Sequence, residues 1–362
     1  MKKNFFKVVA LSFASVLAFV GCSKDDGNVP VVPQGEKAIL RIGFSDYNPS
    51  PGARAFDENN AGTDVNNAYV FVLNAMGGVM DKFYVAQEDV PVVTERPTTT
   101  AAKKVYVLGN TGNVASFALV ANEAGLKAEI AKLESLAATD VWLQESAAID
   151  FSATTAGGDP LANVDIQLKP IPARIDVKVI NSMDNWSTAE GSGLIEIKGV
   201  AVLYSAGYSH YIPTFIPSIA AVAGFEPAGE YYRSGISGWA SEANSSVYAA
   251  LDKSWDVSSG DFAETFYALP GGAAFDKNTI VTVYGSYNDE DFYWPAHFSA
   301  TDLKRVLENG KFYTLTITLG GNALSGGGGT IDPEEEVVGA FITVNITSSG
   351  WGSTISLDKP FN

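Results

Sequence analysis

Alternation of apolar and polar residues with period two runs through most of this chain, and it predicts a protein built of strands. In Ala38-Ile39-Leu40-Arg41-Ile42-Gly43-Phe44-Ser45, the residues Leu40, Ile42 and Phe44 share one face. Further strands are expected at Tyr69–Leu73, Lys82–Val85, Lys104–Asn110, Val164–Leu168 and Arg174–Val179. The second half continues in the same style, at Ile195–Tyr204, Glu264–Ala268, Thr279–Tyr287, Phe292–Phe298 and Tyr313–Leu319. A last alternating stretch, Ala340–Thr347, stands close to the C-terminus. One segment has a helical period instead: Leu126, Ile130, Leu133 and Ala137 form a stripe, with Leu136 beside it, and predict a helix from Asn122 to Ala137. Asn122 is its expected cap, because its side chain can accept the unpaired N–H groups of the first turn.

The segments that break this pattern divide the chain. Lys2, Lys3 and Lys7 precede an apolar run from Val8 to Val20, which ends at Gly21-Cys22-Ser23. This reads as a signal peptide, 1–22, with a lipobox in which Cys22 is diacylated. More than one acyl chain anchors a protein stably. A polar tether with Pro30 and Pro33 follows, then the first alternating strand. The loop Asp46 to Ala55 is made of turn formers and carries Arg54 beside Ala55, a place where a trypsin-like protease could cut. Asn181 to Gly193 is polar and rich in turn formers, and the boundary between two domains, 55–185 and 186–320, is expected there. Gly320 to Gly329 and the acidic run Asp332-Pro333-Glu334-Glu335-Glu336 read as a linker that opens the C-terminal tail, 321–362.

Composition narrows the function. The 362 residues hold 24 Lys+Arg and 41 Asp+Glu, a net charge of −17, which excludes a binder that works by neutralising phosphates. One Cys excludes an intramolecular disulfide, and two His leave little room for a zinc site or a His-based triad. No catalytic residue, metal or cofactor is assigned. His210 and His297 lack a nucleophile motif nearby. Asp289-Glu290-Asp291 could pair carboxylates for glycoside hydrolysis, yet in this Tyr-Asn context it reads as a solvated hairpin tip.

The first and last alternating strands match position by position. Leu40, Ile42 and Phe44 correspond to Ile342, Val344 and Ile346. One strand precedes a candidate cut site and the other ends a leash. A groove emptied by loss of the first would expose apolar side chains and unpaired edges, which a strand of the same pattern can fill. Supplied head-to-tail by an identical subunit, such a contact need not close and can grow as a filament.

The order and spacing of several stretches resemble the type V pilins, the Bacteroidales-type major fimbrial subunits, or fimbrillins. They are the lipobox Cys22, Ala53-Arg54-Ala55, Val105–Asn110, Ile171–Val177, Phe266–Gly271, Asn309–Ile317, and Ile342–Ile346 with Trp351. Ile171–Val177 resembles the strand that closes the N-terminal domain in that family. Trp142-Leu143-Gln144-Glu145 and Ser348-Ser349-Gly350 depart from the family pattern. The resemblance implies a mostly β chain of two transthyretin-like β-sandwich domains with a C-terminal donor strand. It also implies export to the outer membrane as a lipoprotein and removal of 23–54 by an Arg-specific surface protease cutting between Arg54 and Ala55. The strand of Leu40, Ile42 and Phe44 would then be replaced by the neighbour's Ile342, Val344, Ile346 and Trp351. Anchor subunits of the family lack the cut and tip subunits lack the tail, so a chain with both is expected to be a stalk subunit of a cell-surface fimbrium, partnered by anchor and tip subunits. The rival readings are a tip or anchor subunit, and a surface glycan-binding lipoprotein using Tyr204, Tyr208, Tyr211, Tyr231, Tyr232 and Trp239. Processing at Arg54 would leave 17 Lys/Arg against 37 Asp/Glu, a net charge of −20.

Overall fold

Strands with one apolar face need a second sheet to cover it, and the chain meets that need twice. A computed structural model describes residues 35–45, 65–86, 94–132, 141–189, 194–206, 208–212, 231–232, 251–269, 279–298, 307, 309–333, 335, 342–350 and 353–355. The protein is mostly β, with two sandwich-like regions.

In the first sandwich, one sheet has the order β4 (Thr94–Thr99), β1 (Lys37–Ser45), β9 (Pro160–Gln167), β8 (Ala153–Thr154). The facing sheet has the order β10 (Lys169–Pro170), β7 (Leu143–Ala148), β5 (Ala102–Gly109), β2 (Ala68–Asn74), β3 (Val79–Val85). In the second sandwich, one sheet runs β17 (Phe262–Ala268), β11 (Ala173–Asn181), β20 (Phe312–Leu319), β21 (Ile342–Gly350), β22 (Ser353–Ile355). Its partner runs β16 (Asp252–Ser254), β12 (Ile195–Leu203), β18 (Ile280–Tyr287), β19 (Glu290–His297). The expected strand centres all lie in these elements.

The two sandwiches repeat one topology. In the first, β1 lies between β4 and β9 and is parallel to β9. In the second, β11 lies between β17 and β20 and is parallel to β20. The facing sheets correspond likewise, β3-β2-β5-β7 to β16-β12-β18-β19, in the same chain order. This corrects the boundary expected near residue 185. Ala173–Asn181 does not close the first sandwich; it opens the second, as β1 opens the first. The change-over falls between β10 and β11, where Ile171 N–H donates to Trp142 O and Gly310 N–H donates to Ile171 O.

Two further expectations change. The helix is short, α1 (Glu123–Ala128), with Asn122 Oδ1 accepting from Gly125 N–H at 2.8 Å as the cap. Past it the backbone turns extended as β6 (Ile130–Lys132), which pairs with β14 (Tyr208–His210); residues 133–140 lie outside the described residues. The glycine run is not a free linker. It folds as a 3-10 turn, Ala323–Gly328, packed on the β18–β19 hairpin: Trp294 Nε1–H of β19 donates to Gly326 O and Tyr287 OH of β18 donates to Leu324 O. Thr330 bridges to Tyr293. A side chain at Gly329 would collide with the Phe292 ring, which explains a glycine there.

The first core joins Leu40, Ile42 and Phe44 to Val70, Val72, Val105, Val107, Val164 and Ile166. The second continues onto the outer face of the β5–β2 sheet, so that sheet is covered on both sides. Tyr211 joins the two sandwiches there, edge-on to Phe117 at 5.2 Å and to Trp142 at 5.8 Å between ring centroids. Burial and the nearby Glu129 push its phenol up to about 12.

Asn110 ends β5 with a left-handed backbone, φ 60°. Its Oδ1 accepts from Asn66 N–H at 2.8 Å and its Nδ2 donates to Val141 O at 2.9 Å. Asn110→Ala should cost about 2–4 kcal/mol, from unpaired buried partners and an unfavourable φ; Asn110→Gly, which tolerates that φ, should cost less, both read by denaturant unfolding. Glu123 accepts from Tyr106 OH at 2.6 Å, Lys127 at 2.8 Å and Lys104 at 3.0 Å. The Lys127, Tyr106 and Lys104 hydrogen bonds, in that order, hold its carboxyl at about 2 against an ordinary 4.5. The resulting stability is complete above pH 4.5 and is lost as pH falls toward 2. Glu123→Gln should flatten that acid limb in pH-dependent melting curves.

Candidate functional site: the first strand and its slot

Among the described residues, β1 is the only strand through which β4 joins its sheet. The β1–β4 register is antiparallel, from Lys37↔Thr99 to Ile42↔Thr94. The β1–β9 register is parallel, from Ile39↔Leu161 to Ser45↔Gln167. Period two then decides the rest. Ala38, Leu40 and Ile42 are fully buried and Phe44 is 4% exposed, while Arg41 faces solvent.

The polar contacts of β1 are weak by comparison. Arg41 pairs with Glu95 at 2.7 Å and Lys37 with Asp159 at 3.4 Å, all of them substantially exposed. Exposed pairs contribute roughly 0–1 kcal/mol each. Burial of Leu40, Ile42 and Phe44 contributes about 1.5–3 kcal/mol per side chain. The strand is therefore held by its apolar face and two ladders, and no covalent crosslink fixes it. Its removal would leave a slot one strand wide, floored by Val70, Val72, Val105 and Val107 and bordered by β4 and β9.

The C-terminal strand lies in the other sandwich. β21 pairs antiparallel with β20, from Leu319↔Ile342 through Ile317↔Val344 and Leu315↔Ile346 to Phe312↔Ser349. The strand runs on through Ser348 to Gly350, and β22 returns beside it, Ser348↔Ile355 to Gly350↔Ser353. Like β1 it has nine residues. Cys22, Arg54, Ala55 and Trp351 lie outside the described residues.

Of the residues of the rival readings, Trp239 lies outside the described residues. Tyr204 and Tyr211 are buried, 3% and 5% exposed, and present no open stacking face. Asp289 stands in the β18–β19 turn with φ 66°, beside Asn288 with φ 52°, the hairpin tip its sequence predicts. Sequence reasoning missed β4. Thr94-Glu95-Arg96-Pro97-Thr98-Thr99 has no apolar alternation, and the only signal is a proline of the kind confined to edge strands.

A repeated sandwich, with seven strands common to both copies and an apolar-faced central strand opening each, defines a fimbrilin-like fold. Comparison with known proteins agrees. Residues 172–351, the second sandwich, match the model of the FimA-like major fimbrial subunit protein, C-terminal domain. A crystal structure of a candidate cell adhesion protein from Bacteroides eggerthii is similar over 90% of this chain and 98% of its own, at 26% identity and TM-score 0.66. A fimbrilin from Porphyromonas gingivalis shares the fold over 91% of this chain and all of its own, at 13% identity and TM-score 0.59. The C-terminally truncated tip fimbrial protein Mfa3 of the same organism is similar over 87% of this chain and all of its own, at 8% identity and TM-score 0.51. No curated protein matches in sequence. The chain belongs to the FimA-like major fimbrial subunit family. It is a non-enzymatic fimbrial subunit of the cell surface, and membership implies polymerisation with other fimbrial subunits.

The burial pattern makes a direct prediction. Ile42→Ala should destabilise the uncut chain by about 2–4 kcal/mol, and Arg41→Ala by less than about 1 kcal/mol. Equal losses in denaturant unfolding would contradict the two-faced placement of β1.

Proposed function

We propose that the chain is the stalk subunit of its fimbrium. It is exported as a lipoprotein acylated at Cys22, cut between Arg54 and Ala55 by an Arg-specific surface protease, and polymerised head-to-tail. The C-terminal strand carrying Ile342, Val344 and Ile346, with Trp351 beyond it, fills the slot left by β1 in the next subunit. Anchor and tip subunits complete the fibre.

One observation carries the reading: the chain's opening segment supplies a central, buried strand that spans two ladders. A single cut between it and β2 severs its covalent link to the strands that follow, and then the two ladders and the apolar face hold it. The arriving strand has the same length and the same period-two sequence, so it can restore the apolar face and both ladders. Roughly 5–9 kcal/mol follows from three large apolar side chains, and each ladder hydrogen bond adds about 0.5–1.5 kcal/mol. The aromatic platform that a glycan binder needs is weakened by the burial of Tyr204 and Tyr211.

N-terminal sequencing of assembled fibres tests the proposal. The expected first residue is Ala55, and Arg54→Ala should accumulate as a lipidated monomer beginning at Cys22. Fibres from that variant would move the cut elsewhere. A wild-type surface form that keeps Cys22 and its lipid would make the chain an anchor subunit or overturn exchange.

A further inference from the structure

Once β1 leaves, β4 has no partner, and β9 has an open edge of opposite need. The two are antiparallel in sense, so β4 could slide across and close the slot on itself. The sequence of β4 opposes this. Register sets Thr94, Arg96 and Thr98 opposite Ile42, Leu40 and Ala38, on the core side of the sheet. That side offers no apolar residue to replace Leu40 and Ile42. The alternate side carries Glu95 and Pro97. The equivalent strand of the second sandwich differs. β17, whose neighbour β11 is continuous with the chain on both sides, turns buried Phe262, Phe266 and Ala268 inward around Glu264.

Arg96 is also seated. Its Cζ lies 3.9 Å from the ring centroid of Phe83 on β3, the edge strand of the facing sheet, a cation–π contact across the open side of the sandwich. Its Nε is buried without a hydrogen-bond partner. We infer that Arg96 keeps the slot open: stacked on Phe83 it fixes β4 as the far wall, and its charge bars β4 from taking the place of β1 in the dry core. The slot then accepts only a strand with an apolar face supplied from outside. Arg96 is a positioning residue for assembly, and the inference rests on the strand-exchange reading above.

The test uses the full chain, uncut and cut. Arg96→Leu is first checked in the uncut form, where β1 is in place, by circular dichroism and thermal melting. After digestion with an Arg-specific protease, polymer growth is followed by light scattering, and hydrogen exchange is read on the β9 amides. Wild type should polymerise and exchange rapidly at β9 before a donor arrives. Arg96→Leu should be cut equally fast, protect β9, and polymerise about tenfold or more slower, because β4 fills the slot. Arg96→Lys, which keeps the charge, should restore both readouts toward wild type. Wild-type polymerisation and unprotected β9 in Arg96→Leu would overturn the role of Arg96 and leave exchange standing. Failure of the cut wild-type chain to polymerise would instead sink exchange itself, and the role of Arg96 with it.

Discussion

The first sandwich depends on one contact set: the burial of Leu40, Ile42 and Phe44 beneath a strand that is laddered on both sides. Among the described residues, β4 is attached to its sheet only through β1, and β9 gains its parallel neighbour only from it. A central strand normally has its place secured by the covalent chain on both flanks. Here the first strand of the described residues fills that place. Edge salt bridges do little to hold it, since Arg41 and Glu95 are both well exposed. The interaction is strong because it is apolar and wide, and it is transferable for the same reason. Any strand with the same spacing of apolar residues satisfies it.

The second sandwich is the internal control. β11 occupies the place equivalent to β1, but it is continuous with β10 before it and with the α2 segment (Trp186–Ala189) after it. It also carries a buried polar fastening. Arg174 Nε–H donates to Asp176 at 2.8 Å, and Thr265 OH donates to the same carboxylate at 2.6 Å from β17. Breaking a buried, hydrogen-bonded pair leaves a charge without compensation, so β11 is tied to β17 in a way β1 is not tied to β4. Between the sandwiches, the β6–β14 pairing and the Tyr211 contacts to Phe117 and Trp142 join one core to the next.

What the sequence reveals follows from what period two can encode. Alternation placed the strand centres and identified the buried face of β1, because a face is a local property. It could not say which strands are neighbours. The parallel partner of Ala173–Asn181 is Phe312–Leu319, far ahead in the chain, so nothing local tells which sandwich this strand joins. Ile130 belongs to a helical stripe by spacing, yet the backbone there pairs with His210, a tertiary override of local periodicity. Glycine carries no side chain to advertise packing, so the turn at Ala323–Gly328 reads as a linker until Phe292 and Trp294 are seen against it. β4 was illegible because an edge strand made of Thr, Glu, Arg and Pro has no apolar period to read.

In the proposed assembly the same strand chooses between two places, and the difference between them drives growth. At home, β21 has one long neighbour, β20, and a three-residue neighbour, β22. In the slot it gains a long ladder on each side, with β4 and with β9. Net hydrogen bonds of about 0.5–1.5 kcal/mol each and apolar burial of about 1.5–3 kcal/mol per large side chain favour the move. Ordering the tail and joining two molecules oppose it. Because the glycine run is docked on β19 through Thr330, the reach of the tail is set by the residues beyond it and not by the whole Gly-rich stretch. A short reach limits the tail's freedom before insertion, which lowers the entropy lost on capture. The charge of the processed chain would act against association: at −20 overall, subunits repel at long range, so only a partner whose apolar pattern fits the open edge outweighs that repulsion.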